Sequence, residues 1–112
     1  VGYFLNVHEG PIAISKGYKI KLKPGHVISN EPGFYKKGKF GIRIENMIYV
    51  KQIKSKVFFE NLTMVPIDKE LINFNLLNRD EKNYLLNYNL RIYSSVEKYL
   101  NYKEKFWLLS QF

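Results

Sequence analysis

The chain has 112 residues, 46% of them hydrophobic and 16% aromatic, which is enough for one modest core in a single small domain or a domain with an appendage. It contains no cysteine, which excludes disulfides, thiolate metal sites and a cysteine nucleophile, and which fits a cytoplasmic setting. The formal net charge is +8, but no apolar run approaches the ~20 residues that cross a bilayer, so we expect no membrane partner.

Short β-type segments separated by glycine and proline are predicted before Lys56. The predicted strands are residues 2–7, 18–22, 26–30 and 41–50. The predicted turns are residues 9–11, 24–25, 32–33 and 36–39. Together they indicate an antiparallel sheet.

The remainder predicts one more strand at residues 57–65, a turn at residues 66–68 and then helices. Asn78 and Glu81 have the spacing of a capping box, and Asn101 with Glu104 repeats it before a second, shorter helix. Apolar residues at spacings of three and four line one face of the first helix. They are Leu85, Tyr88, Ile92, Val96 and Tyr99. The pattern therefore predicts an α+β fold.

Positive charge is concentrated in residues 1–60, which carry eleven basic and four acidic side chains, against seven and six in residues 61–112. Nucleic-acid-binding surfaces usually combine arginine with exposed aromatic residues, and Arg43 is the only arginine in the first sixty. We interpret the charge as a compositional bias and expect no nucleic-acid partner. The alternative, a basic nucleic-acid-binding domain, requires an affinity for DNA or RNA that falls steeply with salt.

Two glutamates are candidates for chemistry. Glu31 precedes Pro32, which favours an extended backbone, and Pro-Gly suits a type II turn. If the strands that carry Glu31 and Glu45 are neighbours, their carboxylates converge and need a cation between them, either Arg43 or a metal. From these residues alone, a turn glutamate and a surface ion pair worth less than ~1 kcal/mol are the simpler interpretations.

Alternation along residues 41–50 places Arg43, Glu45 and Met47 on one face and Ile42, Ile44 and Ile48 on the other. The two histidines are less informative. His8 and His26, taken alone, are structural or loop residues.

Four segments in order resemble the C-terminal part of the Xaa-Pro aminopeptidases of the M24 metallopeptidase family. VGYFLNVHEGP is similar to the stretch after that family's metal-binding histidine, and LKPGHVISNEPGFY and GKFGIRIENMIYV resemble its two glutamate motifs. LTMVPIDKELINFNLLNRDEKNYLLNYN is similar to the extra segment of the long, three-domain members. The resemblance implies the C-terminal part of a pita-bread fold, with residues 1–56 in the catalytic domain and 57–112 as a C-terminal extension.

The resemblance also implies roles for individual residues. Glu31 and Glu45 would be ligands of two divalent metal ions, most often manganese, with Glu45 bridging them and Glu31 also passing the proton of the attacking water. His8 would hydrogen-bond the substrate or the tetrahedral intermediate. Arg43 would orient the carboxylates, and Tyr35 would contact substrate. His26 stands where the family usually has an apolar residue and receives no role.

The implied activity is removal of the N-terminal residue from peptides with proline in the second position. Two aspartates and a histidine, the family's other ligands, would lie before Val1, so we expect a fragment that is inactive alone. A prolidase-like dipeptidase and a non-catalytic pita-bread binding module are the alternatives; the long-type tail argues against the first and the retained carboxylates against the second. The apolar helix stripe allows a homodimer contact or packing on the catalytic domain.

Overall fold

The computed structural model describes residues 2–112. The chain forms two compact units, one ending at Thr63 and the other spanning Met64–Phe112. The strands of the first unit are β1 (Val27–Asn30), β2 (Gly33–Lys36), β3 (Phe40–Arg43), β4 (Asn46–Ile53) and β5 (Lys56–Asn61). The helices of the second are α1 (Arg79–Val96) and α2 (Tyr102–Ser110), with 3-10 turns at Lys69–Leu71 and Glu97–Tyr99. The predicted α+β class is confirmed.

The first unit contains a three-stranded sheet of order β1-β4-β5 and a two-stranded ribbon of β2 and β3, all antiparallel. Ile28 lies opposite Ile48 in the register of β1 and β4, and both are buried together with Val50. Because side chains alternate along a strand, the intervening positions of β1 and β4 face the other side of the sheet. That other side carries the candidate functional residues.

The predicted strand at residues 41–50 is wrong as one continuous element. It divides into β3 and β4 because the chain changes partners at residues 44–45, β3 pairing with β2 and β4 with β1 and β5. Ile44 N donates to Pro32 O at 3.0 Å at this junction. Ile42 and Ile44 are therefore exposed, whereas Ile48 is buried, and the three do not form the predicted single face.

The predicted strands at residues 2–7 and 18–22 are also wrong. Apolar alternation does not create a strand without a neighbouring strand to receive its hydrogen bonds. In the first segment Leu5 adopts a positive φ of 65°, and the Glu9 carboxylate accepts from the backbone N–H groups of Phe4 and Asn6. These contacts fold the segment into a local turn instead.

Three of the four predicted turns before Lys56 are confirmed and one is wrong; the turn predicted at residues 9–11 is present at Gly10 and Pro11. His26 N donates to Lys23 O around Gly25, whose φ is 88°, and Lys39 N donates to Lys36 O around Gly38, whose φ is 70°. Gly33 was expected to occupy the positive-φ position of a type II turn. It lies in β2 opposite Arg43 instead, since the chain continues from β1 into the ribbon without reversing.

Strand β5 ends at Asn61, earlier than the predicted residue 65. Beyond it, Leu62 N donates to Met47 O at 2.7 Å, and the Thr63 hydroxyl accepts from Met47 N at 2.8 Å. The Thr63 hydroxyl thus takes the place of a backbone carbonyl as the acceptor for Met47 N, and the backbone hydrogen bonds between β4 and β5 end there.

A polar cluster links β4 and β5. Tyr49 Oη donates to Glu60 Oε2 at 2.9 Å, and Lys51 Nζ donates to the same oxygen at 2.5 Å. The hydrogen bond to Glu60 raises the pKa of Lys51 above its usual value. The two strands are therefore joined by side chains as well as by the backbone ladder.

The second unit confirms both predicted capping boxes. Asn78 and Glu81 cap α1 reciprocally, and Asn101 and Glu104 do the same for α2. Its buried core consists of Tyr88, Ile92 and Leu108. None of the helices in the described part of the chain is both long and apolar enough to span a membrane.

Tyr99 does not belong to the buried stripe, contrary to the prediction, and is 75% exposed. The chain tightens from an α-helix to a 3-10 turn after Val96, which changes the period from 3.6 to three residues. Leu100 packs against the core instead.

Candidate active site

Glu31 and Glu45 lie at corresponding ends of neighbouring strands. The last paired residues of β1 and β4 are Asn30 and Asn46, and the two glutamates stand one position beyond them. Directly opposed residues of an antiparallel pair project to the same side of the sheet. The neighbouring-strand arrangement that brings the two carboxylates together is therefore present.

Arg43 lies between the two carboxylates. Its Nη1 is 3.4 Å from Glu31 Oε2, and its Nη2 is 3.3 Å from Glu45 Oε2. The guanidinium offsets the repulsion between the two negative charges. Of the two cations considered from the sequence, the structure shows the arginine in contact with both glutamates.

His8 and Ser29 hold the other oxygen of Glu31. His8 Nε2 donates to Glu31 Oε1 at 3.1 Å, and the Ser29 hydroxyl donates to the same atom at 2.5 Å. Hydrogen bonds from Ser29 and then from His8, with a smaller contribution from the Arg43 charge, lower the pKa of Glu31 below its usual value. The Glu31 carboxylate is thus oriented at both oxygens, Oε1 towards His8 and Ser29 and Oε2 towards Arg43.

Ser29 was missed in the sequence, although a signal existed. Residues two apart in a strand face the same side, so a hydroxyl two positions before Glu31 lies beside its carboxylate. The pattern of the segment does not single out this serine, because its neighbours Val27 and Ile28 have the apolar character of a core strand.

Replacing Ser29 by alanine is expected to raise the pKa of Glu31 towards its ordinary value of 4.5 in metal-free protein, because the largest stabilising hydrogen bond to the charged form is lost. The side-chain carboxyl shift of Glu31, followed by NMR from pH 2 to 7, measures this change. The lowered pKa contributes stability that is present above pH 4.5 and is lost as the pH falls through the folded-state value.

Ser29→Thr is the matched control, since it keeps the hydroxyl and the strand preference. An unchanged Glu31 titration in Ser29→Ala would contradict the assigned hydrogen bond.

Tyr35 lies in β2 opposite Gly41 and is 65% exposed. Its ring packs over two glycines. A Cβ added to Gly33 would stand 2.6 Å from Tyr35 Oη, and one added to Gly41 would stand 2.6 Å from Tyr35 Cδ1, so the ring fills the space that a side chain would need at either position. Among the described residues no hydrogen bond joins Tyr35 to Glu31 or Glu45. The structure thus groups His8, Arg43 and the glutamates, and leaves Tyr35 on the neighbouring ribbon.

A cleft of about 570 Å³ opens beside Glu31; we call it the His8 cleft. Its polar lining comes from His8, Glu9, Ser29, Asn30 and Glu31. Its apolar lining comes from Val7, Ile12, Ala13, Ile14, Tyr18 and Ile28. An apolar cleft with a few convergent polar groups is the usual form of a small-ligand site.

The donor chemistry of the glutamates fits a divalent ion such as Mn²⁺ or Mg²⁺, which prefers carboxylate oxygens in octahedral geometry. Within residues 2–112, however, no group of three or more histidine, aspartate or glutamate side chains could hold an ion. The chain's two aspartates, Asp68 and Asp80, belong to the second unit. The described residues therefore supply the right donor type but only part of the coordination that two ions need.

Comparisons with known proteins agree with this arrangement. Residues 1–52 match the model of metallopeptidase family M24, and residues 56–111 match the model of the C-terminal region of peptidase M24. "Probable Xaa-Pro aminopeptidase P" of Botryotinia fuckeliana is 49% identical over 110 residues, which cover 88% of this chain and 17% of the relative. The protein of the same name from Fusarium vanettenii is 46% identical, covering 88% of this chain and 18% of the relative.

A solved structure, X-prolyl aminopeptidase from Caenorhabditis elegans, is similar with a TM-score of 0.85 and 38% identity. The similarity covers 99% of this chain and 20% of that one, which is described as a cytosolic enzyme with a di-nuclear active site. The chain thus spans about a fifth or less of the length of the relatives it matches. These comparisons confirm the resemblance to the Xaa-Pro aminopeptidases of the M24 family. They also confirm that the chain has the C-terminal part of a pita-bread fold.

Proposed function

Because this chain belongs to the M24 metallopeptidase family, we propose that it contributes the two glutamates of a metal-dependent aminopeptidase that removes the residue before a penultimate proline. The observation that carries the proposal is the placement of Glu31 and Glu45 at one end of adjacent strands, with Arg43 contacting both. The peptide-acting relatives support the substrate class.

Glu31 and Glu45 are the residues that would hold the metal. The proposed cofactor is a pair of divalent ions, with manganese in keeping with the all-oxygen donors and the number two in keeping with the neighbour's di-nuclear site. A bound pair supplies an activated water and polarises the scissile carbonyl.

The side chains at the proposed metal site orient the substrate and transfer the proton of the attacking water. Glu31, whose two oxygens face different partners, takes the proton of the attacking water and returns it to the leaving amine. His8 is 80% exposed at the cleft, and its Nε2–H, which donates to Glu31 in this structure, would donate instead to the carbonyl oxygen that gains charge. Arg43 keeps the two carboxylates in place, and Tyr35 bounds the substrate from the ribbon.

The proposal extends to the rest of the chain. Residues 57–112 form a C-terminal extension of the catalytic domain, and its exposed Phe106 and Trp107 suit a homodimer contact. The proposed location is the cytoplasm, in accord with the neighbour's description as cytosolic.

The proposed function is tested with a chimera in which these 112 residues replace the equivalent segment of the Caenorhabditis elegans enzyme. We expect the chimera to release the N-terminal residue of an Xaa-Pro peptide in the presence of Mn²⁺. The isolated chain is expected to release none, because its described residues bring together too few ligands. A folded chimera without activity would refute the proposal, and activity of the isolated chain would refute the two-ligand assignment.

A further inference from the structure

A second cleft adjoins the His8 cleft and contains a residue to which no role was given. This second cleft has a volume of about 440 Å³ and is lined by Lys21, Lys23 and His26; we call it the basic cleft. It shares Glu9, Gly10 and Ile12 with the lining of the His8 cleft. The two clefts therefore adjoin each other at these three residues.

The segment that supplies the lysines of the basic cleft carries positive charges and no negative ones. Residues 15–26 contain four lysines and no acidic residue. The two lysines in the cleft alternate with apolar residues, and both are exposed. Neither is hydrogen-bonded through its ammonium group within residues 2–112. Their charges are therefore available to a ligand.

The one carboxylate in the basic cleft is already engaged. Glu9 Oε1 accepts from Asn6 N at 2.9 Å and from Asn6 Nδ2 at 3.2 Å, and Oε2 accepts from Phe4 N at 3.2 Å. These hydrogen bonds, first that from the Asn6 backbone, lower the pKa of Glu9. Because Glu9 faces the turn at residues 4–6, it leaves the two lysines unneutralised.

His26 adds a directional donor. Its Nδ1 accepts a hydrogen bond from Lys23 N at 3.1 Å, which places the ring proton of the neutral form on Nε2. The ring thus presents an N–H, and the cleft combines two ammonium groups with one fixed donor. This set matches a carboxylate, which only accepts hydrogen bonds when ionised.

We propose that the basic cleft binds an acidic side chain of the peptide substrate, on the leaving-group side of the bond that is cleaved at the His8 cleft. The inference rests on the proposed function for the identity of the ligand as a peptide. An extended peptide advances about 3.3 Å per residue, so a substrate held at His8 reaches the shared wall at Glu9 and Gly10 within a few residues. The cleft then gives the enzyme a preference for acidic peptides.

Binding to the chain itself provides the first test. The 112-residue chain is titrated with Ala-Pro-Glu-Glu and with Ala-Pro-Gln-Gln while backbone amide shifts are recorded by NMR. The acidic peptide is expected to shift the amides of residues 21–26, with at least about threefold weaker binding in Lys21→Gln/Lys23→Gln, the scale of exposed ion pairs. The control Lys37→Gln/Lys39→Gln removes the same charge from the turn between β2 and β3 and should bind as the parent does.

The proposal is contradicted if both peptides shift the same amides equally. It is also contradicted if inorganic phosphate shifts the amides of residues 21–26 as strongly as the acidic peptide does. Equal weakening by the two double variants would also overturn it, because the effect would then reflect net charge rather than the cleft.

Kinetics of the chimera separate this inference from the proposed function. The ratio of kcat/KM for the acidic over the neutral peptide is expected to exceed about three at low salt, to fall as salt screens the lysines, and to approach one in Lys21→Gln/Lys23→Gln. Hydrolysis of both peptides with a ratio of one overturns the basic cleft and leaves the proposed function standing. Hydrolysis of neither peptide refutes the proposed function, while the NMR titration still decides whether the cleft binds the acidic peptide.

Discussion

Replacing Glu45 by glutamine in the chimera is expected to lower kcat/KM for an Xaa-Pro peptide by more than about 100-fold and to reduce the bound manganese. Substituting the hydrogen-bonding partners of metal ligands already costs about 10–100-fold in activity or metal affinity, so loss of a ligand itself should cost more. Glutamine has nearly the same size and keeps one oxygen, so the change removes charge with little change in packing. Metal content by elemental analysis and initial rates measure the two effects.

Glu31→Gln should reduce activity at least as strongly, because Glu31 is proposed to carry the proton as well. Glu97→Gln is the control, since Glu97 pairs with Lys105 at 3.4 Å in the second unit and has no role in the site. Full manganese content in Glu45→Gln would mean that Arg43 alone neutralises the glutamate pair, and the metal assignment would fail.

Replacing Ile92 by alanine is expected to destabilise the second unit by about 2–5 kcal/mol, the usual cost of truncating a buried aliphatic side chain. Ile92 is 1% exposed and lies in a core with the buried Tyr88 and Leu108, against which partly buried hydrophobic side chains pack. The truncation therefore leaves a cavity inside a packed cluster. Urea denaturation followed by far-UV circular dichroism measures the loss on the isolated chain.

Leu86→Ala is the matched control on the same helix. Leu86 is 56% exposed, and surface substitutions of this kind usually change stability by less than ~0.5 kcal/mol. A comparable loss in both variants would show that helix formation, rather than the core, sets the stability of the second unit.

The helical unit was predictable in detail because its signals are local. Each capping box depends on two residues that stand three positions apart, and the reciprocal hydrogen bonds of Asn78 with Glu81 follow from that spacing. The prediction failed at Tyr99 because the 3-10 turn at Glu97–Tyr99 carries no local signal as clear as a cap. A single change of helical period rotated that tyrosine out of the core.

The sheet was harder to predict because a strand depends on its partners. Residues 18–22 have the lysine and apolar alternation of a strand, yet they pair with no strand in the described chain. The sequence allowed the pairing of the strands next to Glu31 and Glu45 only as a condition, and the structure meets that condition, since β1 pairs with β4. Ser29 was missed because its role depends on the side chain beside it rather than on its own pattern.

The two carboxylates occupy connections between strands. Glu31 joins β1 to β2, and Glu45 joins β3 to β4, so each stands where the chain passes from one sheet to the other. Inserting one residue between Asn30 and Glu31, or between Glu45 and Asn46, would leave both sheets able to form but would turn a carboxylate to the opposite face. The length of these two connections is therefore under stronger constraint than the identity of most residues in the strands they join.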